Sequence, residues 1–286
     1  MEEQRLEPII ESYNTDEEYL YEGVYKFIKG VANGLRLHNT LKALPTARMM
    51  HNGQYRKGLA KIHGKEVKLP YVMHVLKVCS TLISLNLPLP NEELDYLYAS
   101  ALLHDVIEDR PDLFPRGGIE LVEIYGFHQR VCEVCMLLSK QPGSSEYELN
   151  KYFNAIKHDK LAILIKISDR SHNVEDLYNM KNIPKYIDET RKYFLENGIC
   201  TYGKEHYPEL SDGITNLKSK ILSLTETSEY FTGELDRALM EYAGRFDEYE
   251  KSIKELETKN KSLASENEEL KKQIEKLKKQ IEKGNA

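Results

Sequence analysis

The chain has 286 residues, 41% of them hydrophobic and 30% charged, with a formal net charge of −6 at pH 7. That is enough apolar material for one large domain with an appendage, and so mild an acidic balance gives no electrostatic case for nucleic acid or an anionic membrane as a partner. The opening "MEEQRLEPII" lacks the basic-then-apolar pattern of a secretory signal and no apolar run reaches the length of a membrane span, so a soluble, cytoplasmic protein is expected.

In chain order, helical patterns dominate from about residue 17 to 245. "YLYEGVYKFIKGVANGL" repeats its apolar residues at helical spacing and shows no strand-like alternation. Around "KIHGKEVKLP" a small β-hairpin is expected, with Gly64 between short segments bearing Ile62 and Val67. "LPYVMHVLKVCSTLISL" predicts an amphipathic helix that "NLPLP" ends. "NEELDYLYASALLHDVIED" predicts another, with Asn91 as its cap, acidic residues in its first turn, and Arg110-Pro111 as its stop. "GIELVEIYGFHQRVCEVCMLLSK" supplies one or two more. In "YELNKYFNAIKHDKLAILIKISDRSHNVEDLYNM" the run "LAILIKI" could pass for a buried strand, but with no neighbouring strands it reads as helix.

Four cysteines, Cys79, Cys132, Cys135 and Cys200, include one C-x-x-C pair. Zinc would need two further ligands at suitable spacing, and no second pair exists. Helical spacing puts Cys132 and Cys135 on one apolar face, which predicts buried core thiols.

The last sixty residues change in kind. From Leu239 to Ile281 a strict three-four alternation runs for about six repeats, with Leu256, Leu263, Leu270 and Leu277 at d and Ile253, Asn260, Asn267, Ile274 and Ile281 at a. Isoleucine at a with leucine at d favours two parallel strands, and buried asparagine at a fixes register. A homodimer through a parallel coiled coil is therefore expected. "RFDEYEKSIKELE" before the seam is mixed in charge, unlike the basic region of a DNA-binding zipper.

Chemistry gathers in "ALLHDVIED". His104 and Asp105 follow an apolar helical face that must be buried, and an ionised aspartate is costly to bury unless it is paired or holds a cation. Glu108 lies one turn on and can face the same cavity. Asp169, ending the apolar run "LAILIKIS", is a second carboxylate in an unlikely place. A divalent cation held by two histidines and two aspartates would resolve both burials.

The order H…HD…D resembles that of the HD superfamily of metal-dependent phosphohydrolases. "HNGQYRKG", "ALLHDVIED" and "LIKISDRSHN" are similar to words of the hydrolase domain of RelA/SpoT-type enzymes, which remove the 3′-pyrophosphate from guanosine tetra- and pentaphosphate. The resemblance covers roughly residues 40 to 200. It implies an all-α fold, an HD-domain helical bundle followed by the long C-terminal coiled-coil helix, divided as residues 1–40, 41–228 and 229–286. It implies His74, His104, Asp105 and Asp169 as metal ligands with Mn²⁺ as the metal, Glu108 and Asp109 as the acidic pair that orients or activates water, Arg56 and Lys57 as nucleotide contacts, and Asn173 as a ribose-side contact.

The sequence departs from the family pattern in three places. The interval from Lys57 to Pro70 carries the extra "GLAKIHGKEVKL", Val75 stands where proline is usual, and Ser171 stands where leucine is usual. His51 and His172 belong to family words and are expected beside the ligands, whereas His38, His63, His128, His158 and His206 have no supporting pattern. No synthetase domain follows, which implies a stand-alone hydrolase acting on a small nucleotide. Two other readings remain: an HD phosphatase for NADPH or a deoxynucleotide, and a nucleotide-binding scaffold whose coiled coil recruits a partner.

Overall fold

The computed structural model describes residues 15–62, 64–140, 145–177 and 182–284. Helices α1 (Thr15–Leu35) and α2 (His38–Met50) lead into an antiparallel hairpin, β1 (Tyr55–Ile62) and β2 (Lys65–Pro70). There follow α3 (Val72–Ser84), α4 (Asn91–Leu103), α5 (Val106–Asp109), α6 (Glu120–Glu123), α7 (Gln129–Leu138), α8 (Glu146–Ile156), α9 (Lys160–Glu175) and α10 (Ile183–Thr190). A π-helical turn, Arg191–Leu195, precedes α11 (Ile199–His206), the 3₁₀ turn Pro208–Leu210, and α12 (Ser211–Gly284). The expected all-helical architecture holds apart from the hairpin, and that hairpin is the "GLAKIHGKEVKL" interval. No described helix is long and apolar enough to cross a membrane.

The chain divides into two compact units between Thr227 and Ser228. In the first, α3, α4 and α9 pack on one another, with α1, α2 and α7 around them. Helix α9 is buried on nearly every face from Leu161 to Val174. This explains why "LAILIKI" shows no amphipathic period: a helix that is apolar all round belongs in a core. Asp159 starts it by accepting from the Leu161 and Ala162 amides at 3.0 and 3.1 Å. The buried Asp95 of α4 plays a similar part for α2. Its two oxygens accept from the Asn39 and Thr40 amides at 2.9 and 2.8 Å, satisfying donors that the start of α2 would otherwise leave unpaired. All four cysteines are free and buried, Cys132 and Cys135 as their helical spacing implied.

Two local expectations need correction. Asn91 does not cap α4: Pro90 holds that position and Asn91 is the first helical residue, its side-chain amide donating to the Leu35 carbonyl at 3.4 Å. Nor does one helix run from Asn91 to Asp109. It ends at Leu103, and after His104 and Asp105 the short α5 begins. On an unbroken helix adjacent residues project about 100° apart. The interruption lets neighbouring His104 and Asp105 turn toward one point, an advantage the hydrophobic period cannot reveal.

The second unit, beginning at Ser228, is the remainder of α12. Its large apolar side chains lie on the surface of the single chain, among them Tyr242, Phe246, Ile253, Leu256 and Leu270.

Candidate metal centre

Three segments far apart in sequence meet at the end of the α3–α4–α9 core. His74 comes from the first turn of α3, His104 and Asp105 from the junction of α4 and α5, and Asp169 from the middle of α9. The donor atoms of His74, His104 and Asp105 lie within 4.8 Å of one another. Asp169 Oδ1 is 3.1 Å from His74 Nε2 and 3.8 Å from His104 Nε2, while Asp105 Oδ2 is 3.0 Å from His104 Nε2 and 3.8 Å from His74 Nε2. Both rings and Asp169 are buried.

The tautomer of His104 shows what is missing between these groups. Its Nδ1 lies 2.8 Å from the Ala101 carbonyl, which can only accept, so Nδ1 carries the hydrogen. In the neutral ring, Nε2 is then a bare lone pair directed at two carboxylates. That buried nitrogen has no hydrogen-bond partner among the described residues, although Asp105 Oδ2 lies close by. Burial opposes charge on His104, yet the Asp105 and Asp169 carboxylates outweigh it and hold the imidazole up at about 10. His74 stays below its usual value because burial prevails there. The cluster thus requires positive charge at its centre, from a proton or a cation. Two imidazole nitrogens and two carboxylates fit a divalent cation of the Mn, Fe or Zn type.

Two residues that sequence reasoning passed over complete the setting. Lys166, one turn before Asp169 on α9, places Nζ 3.0 Å from Asp169 Oδ2, leaving Oδ1 toward the histidines. Tyr71 donates its hydroxyl to Asp105 Oδ2 at 2.7 Å, and burial first, then the adjacent carboxylates, push its phenol far up. Such partners fix the orientation of groups that could hold a metal. Lys166 left a signal, as the lone cation inside "LAILIKIS". Tyr71 left none, because an aromatic before an amphipathic helix reads as packing.

The expected acidic pair forms the last two residues of the short α5. Glu108 is exposed and accepts from the Lys140 amide at 3.2 Å, while loss of hydration from the surrounding protein raises its carboxyl above the usual range. Asp109 is raised to about 6, by burial first and then by Asp105 and Glu108. A carboxylate held near neutrality suits proton transfer.

Of the three expected substrate contacts, two meet. Arg56 on β1 donates to Asn173 Oδ1 at 2.9 Å, and Asn173 donates to Asp169 Oδ1 at 2.6 Å. Arg56 also pairs with Asp176 at 3.1 Å. Lys57 is exposed on the same strand. A cavity of about 50 Å³ opens here beside His74, walled by Arg56, Lys77, His172, Glu175 and Asp176. His51 and His172 flank the cluster. The first has Nδ1 2.6 Å from Gln54 Oε1 and its ring against Tyr71, and the second has Nε2 2.9 Å from the Thr81 hydroxyl. His128 caps α7, His206 stacks on Tyr202, and His38 and His158 are exposed. His63 lies outside the described residues.

No family model matches the chain. Among curated proteins it is similar to the bifunctional (p)ppGpp synthase/hydrolase SpoT of Escherichia coli K12, 30% identical over 172 residues, covering 57% of this chain and 21% of that protein. It is 31% identical over 148 residues to a guanosine-3′,5′-bis(diphosphate) 3′-pyrophosphohydrolase of Borreliella burgdorferi, covering 49% of this chain and 19% of the relative. A chloroplastic rice protein described as a GTP diphosphokinase, RSH1, is 28% identical over 155 residues, half of this chain and 16% of its own length. The chain therefore spans about a fifth of the length of the curated relatives it matches. Over that shared region it is related to the RelA/SpoT-type hydrolases.

Proposed function

We propose that this chain is a divalent-metal-dependent phosphohydrolase that removes the 3′-pyrophosphate from guanosine 3′,5′-bis(diphosphate), with Mn²⁺ as its metal and residues 41–228 as the catalytic region. The observation that carries the reading is the buried His104 Nε2, a lone pair directed at two carboxylates that only added positive charge reconciles. His74, His104, Asp105 and Asp169 would hold the ion. A divalent cation so held lowers the pKa of water and polarises a phosphoryl oxygen.

The chain's own residues do the rest. Glu108, with Asp109 beside it, orients the attacking water and takes its proton, the raised carboxyls being suited to that exchange near neutral pH. Arg56 and Lys57 offset the charge of the departing pyrophosphate, and guanidinium geometry suits phosphate oxygens. Asn173, held between Arg56 and Asp169, faces the ribose side. The relatives named as guanosine-3′,5′-bis(diphosphate) 3′-pyrophosphohydrolases support the choice of substrate.

The test is turnover by the purified chain of a panel of phosphorylated nucleotides with Mn²⁺ and with chelator, alongside Asp105→Ala. Release of pyrophosphate from guanosine tetraphosphate is expected, lost with chelator and in the variant, whose bound metal also falls. Turnover confined to NADPH or a deoxynucleotide would overturn the substrate. Full metal occupancy in Asp105→Ala would overturn the ligand set.

A further inference from the structure

Beyond the hydrolytic site, the long exposed tail has a face of its own. Ile253, Leu256, Leu263, Leu270, Ile274 and Leu277 lie along one stripe of α12, and each is between 46 and 61% exposed in the single chain. A solvated helix gains nothing from leucine at every seventh position, and exposed apolar stripes of this length mark association. We propose that this stripe is covered by the same stripe of a second copy of this chain, in parallel and in register.

Two independent features select that occupant. The stripe is interrupted at Asn260 and Asn267, both at a positions. In a parallel pair each a position faces its own counterpart, so each asparagine meets an asparagine and the amides satisfy one another. In an antiparallel pair a faces d, and each would be buried against leucine with its amide unsatisfied. The flanking charges agree. With Ile253 at a, parallel pairing sets each g residue beside the e residue five positions on in the second copy. Arg245 then meets Glu250 of the second copy, and Glu266 meets Lys271 of the second copy. The remaining pairs of the last heptads, Ser252 with Glu257, Lys259 with Ala264 and Gln273 with Lys278, put no like charges together. A copy of this chain therefore complements the stripe without any further partner. In the single chain Arg245 and Lys271 lie near Glu241 and Glu268 of their own helix, on exposed surface where such pairs exchange readily.

Sedimentation equilibrium of the full chain at micromolar concentration, joined to cysteine cross-linking, tests this. Twice the chain mass is expected. Leu256→Cys and Leu277→Cys, introduced separately, should each give a covalent dimer on mild oxidation, because every d residue faces itself in a parallel register. The unaltered chain is the control, its four cysteines being buried. A monomeric mass would overturn the proposal and assign the stripe to a different protein. A dimeric mass with cross-linking by neither variant would overturn the parallel register in favour of an antiparallel one, in which a faces d and no d residue meets itself. Replacing both asparagines by isoleucine should retain association but admit trimers or mixtures. Unchanged stability after that change would overturn the placing of Asn260 and Asn267 at buried a positions.

Discussion

Replacing Lys166 by methionine keeps most of the side-chain volume but removes a half-buried ammonium 3.0 Å from Asp169 Oδ2. Asp169 is itself buried, and against that burial Lys166 first, then His104 and His74, hold its carboxyl down. Breaking a buried pair by deleting one partner costs about 3–5 kcal/mol, because an uncompensated charge stays behind. At about 2–4 °C per kcal/mol for a domain of this size, the metal-free variant should melt roughly 6–20 °C below the unaltered chain. A cation at the other oxygen of Asp169 supplies compensating charge, so with saturating Mn²⁺ the deficit should fall by roughly half or more. Thermal unfolding of both chains, each in chelator and in Mn²⁺, gives the four midpoints needed. Equal losses in the two conditions would refute the reasoning, because the lysine would then serve packing and not charge. A metal-free loss below about 1 kcal/mol would refute it from the other side, as expected of a solvated pair.

Glu108→Gln keeps the shape of the side chain and removes its basicity, so turnover should collapse while metal content, read by elemental analysis, stays near normal; unchanged turnover would pass the water-activating part to Asp109. Glu175, with Oε2 3.3 Å from His172 Nδ1 and Oε1 2.6 Å from Lys220 Nζ, is opposed by burial but held down to about 2 by those partners. Its folded value lies below its unfolded one, so its stabilisation is complete above the unfolded pKa and is lost as pH falls toward 2. Its side chain is about a third exposed, which reduces the full linkage value to about 1 kcal/mol. The stability gap between the unaltered chain and Glu175→Gln should shrink steadily as pH falls from about 7 through about 4 to about 3. A gap that widens on acidification would reverse the sign of the argument.

How far the sequence revealed the site depended on the cost of burial. His104, Asp105 and Asp169 stood out because carboxylates inside apolar runs demand compensation, and the fold does bring them together with His74. The helices were legible wherever one face is apolar, and α9 was recoverable because strands around it were absent. The break between α4 and α5 was not legible: the apolar period continues across His104 and Asp105, and only the geometry of convergence shows why the helix stops. Lys166 and Tyr71 were passed over, since no local pattern includes the carboxylate that each side chain meets. The link from Arg56 to Asn173 spans 117 residues and leaves no periodic trace.

Arg56 is already engaged, by Asp176 on one side and Asn173 on the other. Both contacts run through the same nitrogen, Nη2. The guanidinium is thus oriented before anything reaches it, and an arriving anion competes with the Asp176 carboxylate only for that nitrogen. Because the amide of Asn173 also holds Asp169, Arg56 and Asp169 share one chain of hydrogen bonds, and a displacement of the first is transmitted to the second.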